Sequence, residues 1–300
     1  MKTDVRKIVV RSLFAATLAL GTGTPAAQTP AAPYAPIVGQ DGKDVVWVPT
    51  PDVMVEKMLD VARVTPHDFV IDLGSGDGRN VIGAAKRGAR ALGVEYNSDL
   101  VEYSRRMASA AGVSERALFV QGDMYAADIS QASVLALFLL NENLRKLLPK
   151  FLDLKPGTRI VTNTYEIPGW NADASETVRE SCTSFCVVFL YVVPAKVACA
   201  WRMPEGDLTL EQSFQRLTGT FNIGGVSVPI ENGRLNGAEI RFSANGVEYA
   251  GRIDGDTMEG TAKGRTASTA WRGMRVTAGA ALPAVTRKRV GLYRDAPVSG

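Results

Sequence analysis

The stretch Phe69-Val70-Ile71-Asp72-Leu73-Gly74-Ser75-Gly76-Asp77-Gly78-Arg79 runs from an apolar segment ending in an acid into a glycine-rich turn. A short apolar run stopped by glycine predicts a buried parallel strand. Glycines there let the backbone turn sharply and let a ligand approach without meeting a Cβ. Working outward, a helix is expected over 53–64, with Thr50 or Asp52 as its cap. Further helices are expected at 79–87, from Asn97 or Ser98 to about 111, and at 143–154. Between them lie strand-like runs at 91–95, 117–120, 134–138 and 159–162. Regular alternation of this kind predicts a parallel α/β sheet with helices on both faces.

The turn distinguishes between ligands. A dinucleotide loop needs G-x-G-x-x-G, and counting from Gly74 the last position is Arg79. No Lys-Ser/Thr follows as a P-loop requires. The second strand ends in Glu95, which can accept from both hydroxyls of a ribose. The third leads to Gln121-Gly122-Asp123-Met124, where Asp123 can accept from an adenine amine and Met124 offers a soft surface to the ring. Acids thus follow strands one, two and three at one edge of the sheet, where open α/β folds bind ligands.

The acid-x-G-x-G-x-G loop resembles that of class I S-adenosylmethionine (SAM) methyltransferases. More particular are Val48-Pro49-Thr50-Pro51, Gly93-Val94-Glu95, Gln121-Gly122-Asp123 and Leu154-Lys155-Pro156-Gly157-Thr158-Arg159-Ile160-Val161. With the loop, they resemble bacterial relatives of the mitochondrial lysine methyltransferases that modify the ATP-synthase c-subunit and the adenine nucleotide translocase. The resemblance covers about residues 45–170. It implies a Rossmann-like, seven-stranded class I sheet, and SAM as cofactor held by Asp72, Gly74, Gly76, Gly78, Glu95, Asp123 and Met124, with Pro49 and Thr50 closing over it. It also implies methyl transfer to an amine, a protein lysine among the candidates. Asn141-Glu142-Asn143-Leu144-Arg145 and Asn163-Thr164-Tyr165-Glu166 depart from the family's pattern where the acceptor would dock.

Methyl transfer from a sulfonium depends mostly on positioning, and an amine acceptor must arrive neutral, which burial favours. Asn141, after strand four, and Tyr165, after strand five, are the candidate catalytic groups on the acceptor side, with Trp170 beside them. The single histidine, His67, lies in a turn, which excludes His triads and multi-His metal sites and leaves amine methylation open. Two other readings are a small-molecule methyltransferase and an exported SAM- or nucleoside-binding protein without turnover.

Composition places the chain among folded globular proteins: 300 residues, 46% hydrophobic and 22% charged. The net charge of +3 suggests a nucleic-acid or anionic partner until the charges are located. Residues 1–27 carry Lys2, Arg6, Lys7 and Arg11 against Asp4, which leaves thirty charges of each sign in the remainder. That balance removes the expectation of a nucleic-acid partner. The basic start, the apolar run 13–20 and the small residues after it read as a secretory signal peptide. Export, to a periplasmic location, is therefore expected, with no membrane span after cleavage; the alternative is an uncleaved anchor, whose basic residues still place the remainder outside. Residues 28–47 read as a Pro/Ala-rich linker. Cys182 and Cys186 could then form a bridge or remain buried thiols.

Strand-like stretches at 178–180 and 187–193 could form an antiparallel hairpin at the end of the catalytic domain, expected over 48–194. After it, short alternating runs are punctuated by glycine turns at eight- to twelve-residue spacing. They predict a small antiparallel sheet or barrel over 195–280, followed by a loose tail, 281–300. Its clearest hairpin joins 238–244 to 247–253 through Asn245-Gly246. Trp201, Phe214, Phe221, Ile240, Phe242, Tyr249 and Trp271 are its expected core.

Overall fold

The computed structural model describes residues 34–276, so the proposed signal peptide, the first residues of the linker and the tail lie outside the described residues. The two sheets belong to one compact unit that begins at Ala35.

The alternation takes the form α1 (Asp52–Val61), β1 (Phe69–Leu73), α2 (Arg79–Lys86), β2 (Arg90–Glu95), α3 (Ser98–Ala110), β3 (Ala117–Gln121), β4 (Val134–Leu137), α4 (Asn141–Leu152) and β5 (Arg159–Asn163). A hairpin of β6 (Ala174–Thr177) and β7 (Val187–Val192) completes a seven-stranded sheet in the order β3-β2-β1-β4-β5-β7-β6. Strands β1 to β5 run parallel, and β7 pairs antiparallel with both β5 and β6. Apolar side chains on both faces explain why strands such as Val134-Leu135-Ala136-Leu137 read as continuous runs. On one face Met54, Met58 and Leu59 of α1 and Val81 and Ala84 of α2 pack on the sheet. On the other, Leu144, Leu147 and Phe151 of α4 pack with Ile71, Leu135 and Tyr191. The order reverses between β1 and β4, which marks the carboxyl edge there as the place for a ligand.

Local chemistry sets the element ends. Asn97 caps α3, its side chain accepting from the amides of Asp99 at 2.9 Å and Leu100 at 3.4 Å. The expected side-chain cap of α1 is absent: Pro51 occupies the cap position and makes no such bond. The first arm of the hairpin forms at 174–177, ahead of the run at Val178–Glu180 expected from sequence. A disulfide between Cys182 and Cys186 closes the connecting segment into a loop, so the arms must pair before it, with Thr177 opposite Val187.

The second sheet contains β8 (Ala200–Met203), β9 (Gly206–Ser213), β10 (Arg216–Ile223), β11 (Val226–Pro229), β12 (Glu231–Asn236), β13 (Glu239–Ala244), β14 (Val247–Asp254), β15 (Thr257–Lys263) and β16 (Ser268–Arg275). Strand β9 pairs with β10 and β8 with β16, so eight antiparallel strands close into a barrel, with β11 as a side arm on β10. Asn245 and Gly246 both take positive φ, the two-residue turn expected of Asn-Gly. Trp201, Phe221, Ile240, Phe242, Tyr249 and Trp271 fill the interior. At eight strands a barrel is just wide enough for side chains to fill it.

Phe214 departs from the expected core. It adopts a left-handed conformation in the β9–β10 turn, and its ring stacks on Trp170 with centroids 5.3 Å apart. The Trp170 indole also donates to Gln215, 3.0 Å away, and Gln215 in turn donates to the Asn171 carbonyl. Arg234 pairs with Asp173 at 2.8 Å, and the Ala195 amide donates to the Gly237 carbonyl. These contacts gather on residues 170–173, which lead into β6, and 193–195, which follow β7. The barrel is therefore fastened at the amino-terminal edge of the parallel strands, opposite the edge that holds the acids. No helix among the described residues is long and apolar enough to cross a membrane.

Candidate active site at the carboxyl edge

The glycine loop is built before any ligand enters. Gly74, Gly76 and Gly78 all have left-handed φ, and the amides of Gly74 and Ser75 both donate to the Val94 carbonyl of β2. Glu95 fastens the next residue: one carboxylate oxygen accepts from the Gly76 amide and the other from the Asn97 amide, each at 2.9 Å. Behind the loop Ser104 of α3 donates to the Gly76 carbonyl at 2.9 Å. The Gly76 peptide is thus held from both sides. Gly78 faces away from the cavity, and a Cβ there would lie 2.6 Å from the Phe119 ring, so its part is to start α2 and seat it on β3.

Arg79 ties the entry segment to this loop. It pairs with Asp77 at 2.5 Å and donates to the Thr50 carbonyl, also at 2.5 Å. Pro49 and Thr50 are thereby drawn over the turn. Farther back along the chain, Lys43 pairs with Asp123 at 2.6 Å and lies 5.0 Å from the centre of the Tyr96 ring. That partner holds the Asp123 carboxyl below the usual carboxylate range, helped by the Tyr125 amide.

Two neighbouring cavities result. The larger is lined by Glu95, Tyr96, Asp123 and Met124 below and by residues 42–48 above. The smaller is lined by Pro49, Thr50, Asp72, Gly76 and Asn80, and the two share Trp47, Val48, Gly74 and Phe138 as walls. Asn141 and Tyr165 lie farther out, lining an open depression with Arg145 and Glu166. The Asn141 amide donates to the Glu166 carbonyl at 2.9 Å, which braces the turn carrying Tyr165.

Residues 72–174 match the family model described as the ANTKMT methyltransferase domain. The chain is 42% identical over 154 residues to a protein-lysine N-methyltransferase of Saccharolobus islandicus, an alignment that covers 50% of this chain and 94% of that protein. The chain belongs to this family of SAM-dependent methyltransferases. It is also 37% identical over 128 residues to the mouse ATP-synthase c-subunit lysine N-methyltransferase, covering 42% of this chain and 51% of the mouse protein. The chain thus spans about half the length of that relative. Among solved structures, one described as an RNA methyltransferase from Salinibacter ruber in complex with S-adenosyl-L-homocysteine shares 39% identity, covering 50% of this chain and 96% of that one, with a TM-score of 0.47.

The residues present fit SAM. Asp72 is buried, and burial lifts its carboxyl well above the usual carboxylate range; the Asn80 amide, 3.1 Å away, opposes this, and Glu95 and Asp77 add to it. The side-chain oxygens of Ser75 and Asn80 are buried without a hydrogen-bond partner among the described residues. A buried acid short of a cation, beside polar atoms short of partners, suits the zwitterionic end of the cofactor. A Cβ on Gly76 would lie 2.5 Å from the Trp47 indole, so the cradle is closed to any side chain. Asp72, Gly74 and Gly76 would hold the amino-acid end. Glu95, Asp123 and Met124 would hold the nucleoside.

Sequence reasoning missed Lys43, Trp47, Asn80 and Phe138. Lys43 and Trp47 fall in a stretch whose Pro/Ala-rich context reads as linker, and only its charged and aromatic residues hinted otherwise. Phe138 closes an apolar run and reads as one more core residue.

Asp72 has a native pKa above its unfolded one, so the stabilisation from its protonation is present at acid pH and is lost as pH rises through the native value. Asp72→Asn should therefore raise the melting temperature of the ligand-free protein at pH 7, by roughly 2–4 °C for each kcal/mol recovered. The same change should weaken S-adenosylhomocysteine binding by roughly 10–100-fold in calorimetry. Unchanged affinity would contradict the placement of a cationic ligand group at Asp72.

Proposed function

We propose that this enzyme transfers a methyl group to the side-chain amine of a protein lysine. The observation that carries the reading is the junction at Phe138. This residue walls both cavities, and its ring stacks on Tyr165 with centroids 6.2 Å apart. Phe138 therefore joins the wall of the cofactor cradle to Tyr165, which lines the open depression beyond it together with Asn141. The named activities of the archaeal and mouse relatives support a lysine acceptor. The even charge balance beyond residue 27 favours protein over RNA, since RNA partners demand a basic surface.

Bound SAM supplies an electrophilic methyl group on a sulfonium. The chain's own residues have the tasks of holding, orienting and drying. Glu95 and the Gly76 amide fix the loop that orients the cofactor, and the segment 42–50 excludes water above it. The half-buried rings of Phe138 and Tyr165 offer a weakly polar approach, which favours the neutral, nucleophilic form of an amine. Asn141 and Tyr165 serve on the acceptor side, Asn141 by bracing the turn and Tyr165 as a wall.

We also propose that the enzyme works outside the cytosol. The Cys182–Cys186 disulfide supports this, because structural disulfides persist in oxidising compartments. The basic and apolar opening expected to act as a signal peptide is consistent with it.

Incubating the full chain with tritiated methyl donor and cell-envelope extract should label protein, with the label recovered as methyl-lysine after acid hydrolysis. Label confined to RNA or to small molecules would overturn the lysine reading. Fractionation of the native host should find the protein in the envelope or periplasm, beginning near Gln28 and with Cys182 and Cys186 resistant to alkylation. A cytosolic protein beginning at Met1 with reactive thiols would overturn the proposed location.

A further inference from the structure

The loop closed by the disulfide reaches Phe138, the residue shared by the walls of the two cofactor-edge cavities. Residues 182–186 read Cys-Thr-Ser-Phe-Cys, and Phe185 rests edge-on against Phe138 with ring centroids 5.1 Å apart. Phe138 therefore has Tyr165 stacked on it and Phe185 at its edge, and all three residues are half-exposed. The backbone is forced into this arrangement. Ser181, Phe185 and Thr164 have φ of 60°, 59° and 65°, the left-handed region that residues with a Cβ avoid. Thr164 and Val187 are joined by a 2.7 Å backbone hydrogen bond, which links the Tyr165 turn to the end of the disulfide loop. Such strain persists only where surrounding structure over-determines it, and it gathers at functional sites. A bulky aromatic in a left-handed conformation, half-exposed and held by a covalent clamp, is poorly explained by core packing.

We propose that Phe185, presented by the Cys182–Cys186 loop, completes with Phe138 and Tyr165 an aromatic aperture that takes the unbranched stem of a primary-amine acceptor. The inference rests on the methyltransferase reading of the adjoining cavities and deepens it. Aromatic faces attract an arriving ammonium, and their edges and faces pack against methylene groups. Phe185 is a positioning and specificity residue here. Residues 182–186 line neither cofactor cavity, so their effect falls on the acceptor alone.

The test uses the full chain with S-adenosylhomocysteine bound and n-butylamine as probe, followed by calorimetry and saturation-transfer NMR. The wild-type complex should bind the amine. Phe185→Ala and the double variant Cys182→Ser/Cys186→Ser should each weaken it by roughly three- to tenfold. Affinity for S-adenosylhomocysteine should stay within about twofold, and Phe185→Tyr should retain amine binding. If the wild-type complex ignores butylamine, or all variants bind it equally, the aperture is overturned while the cofactor reading stands. Loss of S-adenosylhomocysteine binding in the variants would make the loop merely structural and also overturn the proposal. A wild-type protein that does not bind S-adenosylhomocysteine would remove the methyltransferase reading, and this inference with it.

Discussion

The carboxylate of Glu95 is the point on which the active-site architecture depends. With one oxygen it holds the amide of Gly76, in the glycine loop after β1; with the other it holds the amide of Asn97, which caps α3. Charge-assisted bonds of this kind are stronger than neutral ones. The carboxylate lies at the end of β2, so the register of β2 against β1, with Leu73 opposite Val94, fixes the loop relative to the sheet. Ser104 completes the clamp from α3. A preformed loop spends little binding energy on ordering itself, which suits a reaction whose rate comes mainly from positioning.

Around that clamp the molecule divides its labour between the two edges of one sheet. The carboxyl edge carries the acids, the entry segment and the aromatic junction at Phe138. The amino edge carries the barrel, fastened through Trp170, Gln215, Asp173 and Arg234. Residues of β8–β16 line neither of the two cofactor-edge cavities. The barrel interior is filled with side chains rather than arranged as a second chamber. Its contacts with the catalytic sheet include the connection from β5 to β6, where Trp170 is buried.

Much of this was legible in the residues. Apolar runs leading to Gly74, Glu95 and Asp123 marked parallel strands with acids at one edge, and the sheet has that form. Asn245-Gly246 announced its hairpin because both residues tolerate the positive φ that so short a connection favours. Other features depend on contacts distant in sequence, which composition does not encode. Lys43 reaches Asp123 across eighty positions, and a Pro/Ala-rich context disguises Trp47 as linker. Phe214 looked like barrel core by its spacing, yet the turn it occupies directs it onto Trp170. Trp170 itself stood among the acceptor-side candidates, and its burial against Phe214 and Gln215 gives it a structural task. The β6 arm began earlier than the apolar pattern suggested because a covalent loop, whose pairing the sequence left open, claimed the residues after it.

If the clamp at Glu95 organises a cofactor cradle running from Asp72 to Asp123, a crystal structure of the full chain with S-adenosylhomocysteine shows it most directly. The ribose hydroxyls should lie on Glu95, the adenine between Asp123 and Met124, and the amino group on Asp72, with the Gly76 amide still donating to Glu95. A ligand bound away from Glu95, or a loop that must release Glu95 to admit it, would contradict this account.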